Sequence, residues 1–213
     1  MKIGFIGAGN IGGTAAKLFV SAGHEVVISN SRGPETLTDV EKATGARAVN
    51  VEEAAKFGEV VFVSIPLGSY KSLAPDDLDG KIVIDSNNYY PDRDGPIPEL
   101  DSASTTSSEL LARHLPGSKI VKAFNTIWFE HLRKEGDRSK PLAERRVIFV
   151  SGDDPDAKSV VSGLIEEIGF APYDLGALKE SALQQPDSPV YNKSINIEEA
   201  RKILDTVADS ASA

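Results

Sequence analysis

The residues best suited to chemistry lie near the start of the chain, where Gly7, Gly9 and Gly12 form the pattern G-x-G-x-x-G. In such a loop the first glycine permits a tight turn, the second lets the backbone approach a diphosphate, and the third allows close packing of a helix on a strand. The N–H groups of the following helical turn attract an anion. The pattern predicts a dinucleotide-binding loop, and the alternative is a glycine turn without a ligand. The predicted loop residues are Gly7, Ala8, Gly9, Asn10, Ile11 and Gly12.

A second group, Asn30, Ser31 and Arg32, follows the second apolar run of the chain. Sites selective for NAD place a carboxylate here, where it binds the ribose 2′-hydroxyl. After this apolar run the next carboxylate comes only at Glu35. Arg32 can pair with a 2′-phosphate, and Asn30 and Ser31 can hydrogen-bond to it. These residues therefore predict NADP(H) as the cofactor, unless Arg32 is simply a solvated loop side chain.

Polar tips at three further strand ends extend the predicted site. The carboxyl ends of parallel strands line the ligand crevice in a doubly wound sheet. The tips should converge near the ribose and the nicotinamide, although ordinary polar turns would look the same at the last two. The residues predicted to bind the cofactor here are Ser64, Ile65, Pro66, Asn87, Ala123, Phe124 and Asn125.

Acid–base and metal chemistry have little support in the sequence. His131 is the one histidine near the predicted crevice and is the candidate acid, with a packing role as the alternative. Tyr89 and Tyr90 are further candidate proton donors for a substrate that needs one. No cluster of histidine and acidic residues has the spacing of metal ligands, and the chain has no cysteine, so we predict no metal site.

These residues depend on a regular alternation of strands and helices. The strands are continuous apolar runs, which is typical of parallel strands buried on both faces. The order predicts an α/β protein with a Rossmann-type, doubly wound, mainly parallel sheet and a short C-terminal helical extension. We expect an NADP-binding domain over 1–176 and an extension over 177–213 that packs on it or on a partner subunit. Strands are predicted at 2–6, 25–30, 46–50, 59–66, 81–88, 119–127, 145–152 and 170–176, and helices at 10–23, 34–45, 51–58, 107–117, 154–169 and 197–208.

Composition narrows the class of partner. The formal net charge of −9 disfavours nucleic acid, whose phosphates would be repelled. No apolar run reaches the length of a membrane span, and a strand-like segment leads straight into the glycine loop instead of a signal peptide. We therefore expect a cytoplasmic protein, and the predicted NADP(H) cofactor implies a small molecule as the electron acceptor.

Four motifs together carry a family resemblance: G-x-G-N-I-G, N-S-R-G-P-E, V-S-I-P and V-K-A-F-N-T-I. In this order they resemble the coenzyme F420-dependent NADP oxidoreductase family, and also the NADPH-binding domain of the six-transmembrane (STEAP) metalloreductases. The resemblance covers roughly residues 1–176. It implies a Rossmann fold, NADP(H) binding and a homodimer. The tail motif L-Q-Q-P at 183–186 also looks like single-domain bacterial relatives.

The resemblance also assigns roles to individual positions. It implies that the glycine loop binds the pyrophosphate, that Ser31 and Arg32 bind the 2′-phosphate, and that 64–66 lie along the ribose. It implies that 123–125 lie near the nicotinamide. The tail is short and polar, so it departs from a family deazaflavin pocket.

Three hypotheses about function follow. The leading one is hydride transfer between NADPH and a flavin or deazaflavin of the coenzyme F420 type, which needs no protein acid or base because the cofactors carry the chemistry. The enzyme alternative is NADPH-dependent reduction of a small imine or carbonyl compound. The third hypothesis is a non-catalytic NADP(H)-binding sensor.

Overall fold

A computed structural model describes residues 1–211. Eight strands form one sheet in the order β3-β2-β1-β4-β5-β6-β7-β8, and every neighbouring pair is parallel except β6 and β7. The predicted α/β class with a mainly parallel, doubly wound sheet is confirmed. The strands are β1 (Lys2–Ile6), β2 (Glu25–Ser29), β3 (Arg47–Ala48), β4 (Val60–Val63), β5 (Ile82–Asp85), β6 (Lys119–Lys122), β7 (Val147–Gly152) and β8 (Ala171–Gly176).

Helices cover both faces of the sheet, as continuous apolar strands require. On one face Phe5, Phe62 and Phe124 pack with Phe19 of the first helix. Helical turns of the 3₁₀ type lie at Pro34–Leu37, Leu67–Ser72, Leu142–Glu144 and Leu178–Gln184. The α-helices are α1 (Asn10–Ser21), α2 (Thr38–Thr44), α3 (Val51–Phe57), α4 (Pro75–Leu78), α5 (Pro91–Asp94), α6 (Pro98–Asp101), α7 (Ser107–His114), α8 (Phe129–Lys134), α9 (Pro155–Glu167) and α10 (Ile197–Ala211).

Several elements differ from their predicted bounds. Strands β4, β5 and β6 end at Val63, Asp85 and Lys122, before their predicted ends, because the polar residues that follow leave the ladder and line cavities. The predicted helix at 34–45 divides into a 3₁₀ turn and α2, and α8 lies where no helix was predicted.

The C-terminal segment packs on the described body of the chain. Val190 and Ala200 are buried against Val147 and Phe149 of β7. An N-terminal cap starts α10, because Asn196 Oδ1 accepts a hydrogen bond from Glu199 N at 3.0 Å. The last two residues of the predicted 177–213 extension lie outside the described residues.

Candidate functional site

The first cavity, which is the larger of the two that share the end of β4, lies at the carboxyl ends of β1, β2 and β4. Here successive strands stop being added on one side of β1 and continue on its other side, beginning with β4. This is the position at which open α/β sheets bind ligands. The cavity has a volume of about 810 Å³, which is within the usual range for a small-molecule site. Predicted residues that line it are Gly7, Ala8, Gly9, Asn30, Ser31, Arg32, Ser64, Ile65 and Pro66.

The three motif glycines are required for different reasons. Gly7 has a φ of +112°, and a Cβ there would lie 2.0 Å from the carbonyl oxygen of Ser64. A Cβ on Gly12 would lie 2.1 Å from the carbonyl oxygen of Gly7, so this glycine lets α1 pack against the loop. A Cβ on Gly9 would meet no heavy atom of the described chain within 4 Å beyond its chain neighbours. Packing therefore explains Gly7 and Gly12, whereas Gly9 leaves room for a ligand.

The N-terminal end of α1 is suited to binding an anion. Gly9 occupies the N-cap position with a φ of −75°, no described side chain caps the helix, and its first turn has no acidic residue. The first backbone N–H groups of a helix need partners, and the helix dipole favours a negative one. A diphosphate beside Gly9 would supply that partner.

The loop after β2 is shaped by its own polar groups. The Arg32 N–H donates to Asn30 Oδ1 at 2.9 Å, and Asn30 Nδ2 donates to Thr36 Oγ1 at 2.9 Å. The Asn30 side chain therefore holds the loop, which leaves Ser31 and Arg32 exposed at the cavity.

The charged side chains that line this cavity are all positive. Arg32 and Lys71 are its cationic side chains, and none of the described residues that line it is acidic. This local charge contrasts with the net charge of −9 for the chain. The residues therefore fit a cofactor with a phosphate beyond the diphosphate.

A second cavity of about 480 Å³ lies on the other side of the β4 tip. Ser64, Ile65 and Pro66 line both cavities, so the β4 tip is their common wall. The wall is held in place because Ile65 N–H donates to Asn87 Oδ1 at 2.8 Å. Predicted residues that line the second cavity are Asn10, Ile11, Asn87, Phe124 and Asn125.

Phe124 takes an unusual conformation at the end of β6. Its φ is +65°, which is uncommon for a residue with a bulky side chain. Its ring is fully buried and packs against Phe62 with the ring centroids 5.2 Å apart. The ring therefore belongs to the core, while the turn brings Asn125 to the second cavity.

An ion pair lies buried beneath the second cavity. Lys122 Nζ is 3.1 Å from Asp85 Oδ2, and both side chains are fully buried. Burial lowers the pKa of Lys122, and the charge of Asp85 opposes that shift. Lys122 Nζ also donates to the carbonyl oxygen of Asn87 at 2.5 Å, and Asn87 N–H donates to Asp85 Oδ1 at 2.9 Å. The pair therefore holds the loop that carries Asn87.

Some predicted residues line neither cavity. Gly12 packs under the glycine loop, and Ala123 is fully buried in the core. His131 lies on α8, with Nδ1 3.7 Å from Glu135 Oε1 and its ring edge-on to Trp128. The Tyr89 hydroxyl donates to Asp101 Oδ1 at 2.6 Å, whereas Tyr90 lines the second cavity.

Sequence reasoning missed Lys71 in the first cavity, and Arg93 and Tyr191 in the second. Lys71 lies on the 3₁₀ turn at Leu67–Ser72, a few residues after Pro66, so its position after a strand tip was a usable signal. Tyr191 comes from the C-terminal segment, and no local pattern connects it with the β5 tip.

Among residues 1–211, no helix is both long enough and apolar enough to cross a lipid bilayer.

The chain is similar to several known proteins. A family model described as coenzyme F420-dependent NADP oxidoreductase matches residues 2–89. Metalloreductase STEAP3 of Rattus norvegicus is 32% identical over 179 residues, which are 83% of this chain and 34% of that protein. The chain thus spans about a third of the length of this relative.

Two solved structures are similar along nearly their whole length. A hypothetical protein of Sinorhizobium meliloti is 33% identical with a TM-score of 0.80, covering 92% of this chain and 95% of that one. A structure assigned as an F420-dependent NADP reductase of Arthrobacter sp. FB24 is 25% identical with a TM-score of 0.71, covering 97% of this chain and 91% of that one. Residues 2–89 therefore match the coenzyme F420-dependent NADP oxidoreductase family, and the chain as a whole is similar to a metalloreductase and to a structure assigned as an F420-dependent NADP reductase.

Proposed function

We propose that this protein transfers hydride between NADP(H), bound in the first cavity, and a flavin or a deazaflavin of the coenzyme F420 type, bound in the second. The observation that carries the proposal is the wall formed by Ser64, Ile65 and Pro66, which both cavities share. Hydride transfer needs the two rings in contact, so the nicotinamide would extend past the β4 tip to the side of the second cavity, which the adjoining cavities permit.

The first cavity supports NADP(H) through three features. Gly9 and the uncapped start of α1 suit a diphosphate, and Arg32 suits a 2′-phosphate. When bound, the nicotinamide supplies or accepts the hydride. The residues of the chain bind and orient it, with Asn125 and Phe124 on the side of the second cavity.

The second cavity supports a planar aromatic acceptor. Trp128 lines it with 49% of its surface exposed, and the half-buried Phe129 lies beside it with the two ring centroids 5.4 Å apart. An exposed tryptophan at a cavity offers a stacking surface for a flavin-like ring. Hydride transfer to such a ring requires no side-chain acid.

A second candidate function is the reduction of a small imine or carbonyl compound, which requires a proton as well as a hydride. The Tyr90 hydroxyl in the second cavity favours it as a proton donor. His131 lines neither cavity, which makes it the weaker donor on geometry. An NADP(H)-binding sensor without turnover is the remaining alternative.

Stopped-flow oxidation of NADPH tests these functions directly. Protein is mixed with a deazaflavin, FMN, FAD, cyclic imines and small ketones in separate runs, and absorbance at the nicotinamide band is followed. We expect rapid oxidation with one of the flavin-type acceptors and slower oxidation when NADH replaces NADPH. Activity with imines or ketones alone would overturn the leading proposal, and tight NADPH binding without oxidation by any acceptor would favour the sensor.

We also propose a homodimer in the cytoplasm, as the family resemblance and the sequence suggested. Light scattering coupled to size exclusion measures the first property, and a particle of one chain's mass would contradict it. Fractionation of the source cells with an antibody against the chain measures the second.

A further inference from the structure

Two tyrosines from distant parts of the chain meet at the second cavity. Tyr90 follows the β5 tip, Tyr191 lies in the C-terminal segment, and their hydroxyl oxygens are 2.6 Å apart. Both line the cavity, and the backbone beside Tyr191 is fixed because Asn192 N–H donates to the carbonyl oxygen of Thr126 at 3.0 Å. The geometry is that of a hydrogen-bonded hydroxyl pair at the acceptor side of the site.

The direction of the hydrogen bonds behind this pair is determined by backbone carbonyls, which can only accept. Asn88 Nδ2 donates to the carbonyl oxygen of Asn125 at 2.9 Å, and this sets the orientation of the Asn88 amide. Asn125 Nδ2 likewise donates to the carbonyl oxygen of Gln184 at 2.6 Å and to Asn88 Oδ1 at 3.0 Å. The second N–H of Asn88 Nδ2 is therefore the group that faces the Tyr191 hydroxyl, at 3.2 Å.

The two hydroxyls can share their hydrogen bond in either direction, and when Tyr191 is the donor the outermost proton of this network lies on Tyr90. Because Tyr191 Oη accepts from Asn88, its own proton is available for Tyr90 Oη, and the Tyr90 proton is then available to the cavity. Burial and the hydrogen bond with Tyr90 raise the pKa of Tyr191, so this hydroxyl keeps its proton. Tyr90 is the outer member of the pair, with 38% of its surface exposed.

Arg93 holds the Tyr90 ring in place. Its guanidinium carbon lies 4.9 Å from the ring centroid, and its Nη2 donates to the carbonyl oxygen of Asn88 at 2.7 Å. A cation over an aromatic face restrains the ring as well as stabilising it. The Tyr90 hydroxyl is therefore held at the rim of the cavity in one direction.

We propose that Tyr90 Oη donates a hydrogen bond to a carbonyl oxygen or an unprotonated ring nitrogen of the electron acceptor, and that Tyr191 is a positioning residue that acts through Tyr90. The acceptor class is then a planar heteroaromatic ring that carries such an atom beside the position that is reduced. This inference rests on the proposed function, because it takes the second cavity as the acceptor site.

The single tryptophan of the chain allows acceptor binding to be measured without turnover. Trp128 fluorescence is titrated with FMN or a deazaflavin in the NADP⁺-saturated protein, for the wild type, Tyr90→Phe and Tyr191→Phe. Tyr173→Phe is the matched control, because Tyr173 packs against Phe149 away from both cavities. N-methylacridinium is the control ligand, because this tricyclic ring has neither a carbonyl nor a free ring nitrogen.

We expect Tyr90→Phe to weaken flavin-type binding by about three- to tenfold, the effect of one neutral hydrogen bond, and Tyr191→Phe to weaken it less. The affinity for N-methylacridinium should be unchanged in both variants, and Tyr173→Phe should match the wild type. Equal losses for both ligands would show that Tyr90 acts by packing and would overturn the inference, as would unchanged flavin binding in Tyr90→Phe.

The same variants separate this inference from the proposed function. Flavin binding that depends on Tyr90, without NADPH oxidation by the wild type, would refute the function and retain the hydrogen bond. Turnover by the wild type that is unaltered in Tyr90→Phe would refute the hydrogen bond and retain the function. If neither flavin nor deazaflavin binds the wild type, both are refuted.

Discussion

Replacing Gly9 with alanine should abolish most cofactor affinity while leaving the fold intact. The φ of −75° suits alanine, and a Cβ would meet no described heavy atom within 4 Å beyond its chain neighbours. Alanine is a poorer N-cap residue than glycine, which lowers the free energy of unfolding. It also reduces the conformational entropy of the unfolded chain, which raises that free energy, and the two effects cancel to within about 0.5 kcal/mol. The melting temperature should therefore change by at most about 2 °C.

Cofactor binding by Gly9→Ala should change much more than its stability. The Cβ would occupy the space beside the start of α1, where the diphosphate must approach the backbone N–H groups. Loss of one charge-assisted hydrogen bond costs about 1.5–3 kcal/mol, which corresponds to a Kd about 10- to 150-fold higher. NADPH and NADH share the diphosphate, so both affinities should fall by the same factor.

Gly12→Ala is the matched control for this experiment. A Cβ on Gly12 would lie 2.1 Å from the carbonyl oxygen of Gly7, so the backbone must shift. Such overpacking costs about 1–3 kcal/mol, and the melting temperature should fall by roughly 2–12 °C. Fluorescence titration and thermal unfolding measure both variants. An unchanged Kd for Gly9→Ala, or a melting temperature as low as that of Gly12→Ala, would refute the assigned role of Gly9.

Three further substitutions test other parts of the molecule. Arg32→Ala should raise the Kd for NADPH about 10- to 150-fold and leave that for NADH unchanged in the same titration, and equal losses would contradict the 2′-phosphate assignment. Lys122→Met leaves Asp85 buried without its partner, so calorimetry should show a loss of about 3–5 kcal/mol that adding Asp85→Asn partly restores. Thr106→Ala removes the hydroxyl that caps Glu109 N in α7, and should cost about 1 kcal/mol in urea unfolding without altering cofactor affinity.

The glycine loop and the strand pattern were predictable because their signals are local. A G-x-G-x-x-G pattern between a strand and a helix defines its own turn, and Gly7 and Gly12 pack as the motif requires. Continuous apolar runs predicted strands buried on both faces, and the two faces are covered as expected. The absence of a carboxylate between the end of β2 and Glu35 likewise needed only the order of the residues.

The direction of β7 could not be predicted in the same way. Its apolar run predicts a buried strand, but the ladder direction depends on the path of the chain through α8 and the following loop. A short helix that packs on α1 returns the chain so that β7 lies antiparallel to β6. Nothing in the periodicity of either strand encodes that path.

The sequence by itself determined the class of fold and predicted a diphosphate loop and a preference for a 2′-phosphate, since each depends on residues within one or two neighbouring elements. Only the tertiary structure decided which residues line the second cavity, which we propose as the acceptor site. Tyr90 and Tyr191 are 101 positions apart, and they meet because the C-terminal segment returns across the tips of β5 and β6. Contacts between segments so far apart follow from packing of the whole sheet, and no local sequence pattern predicts them.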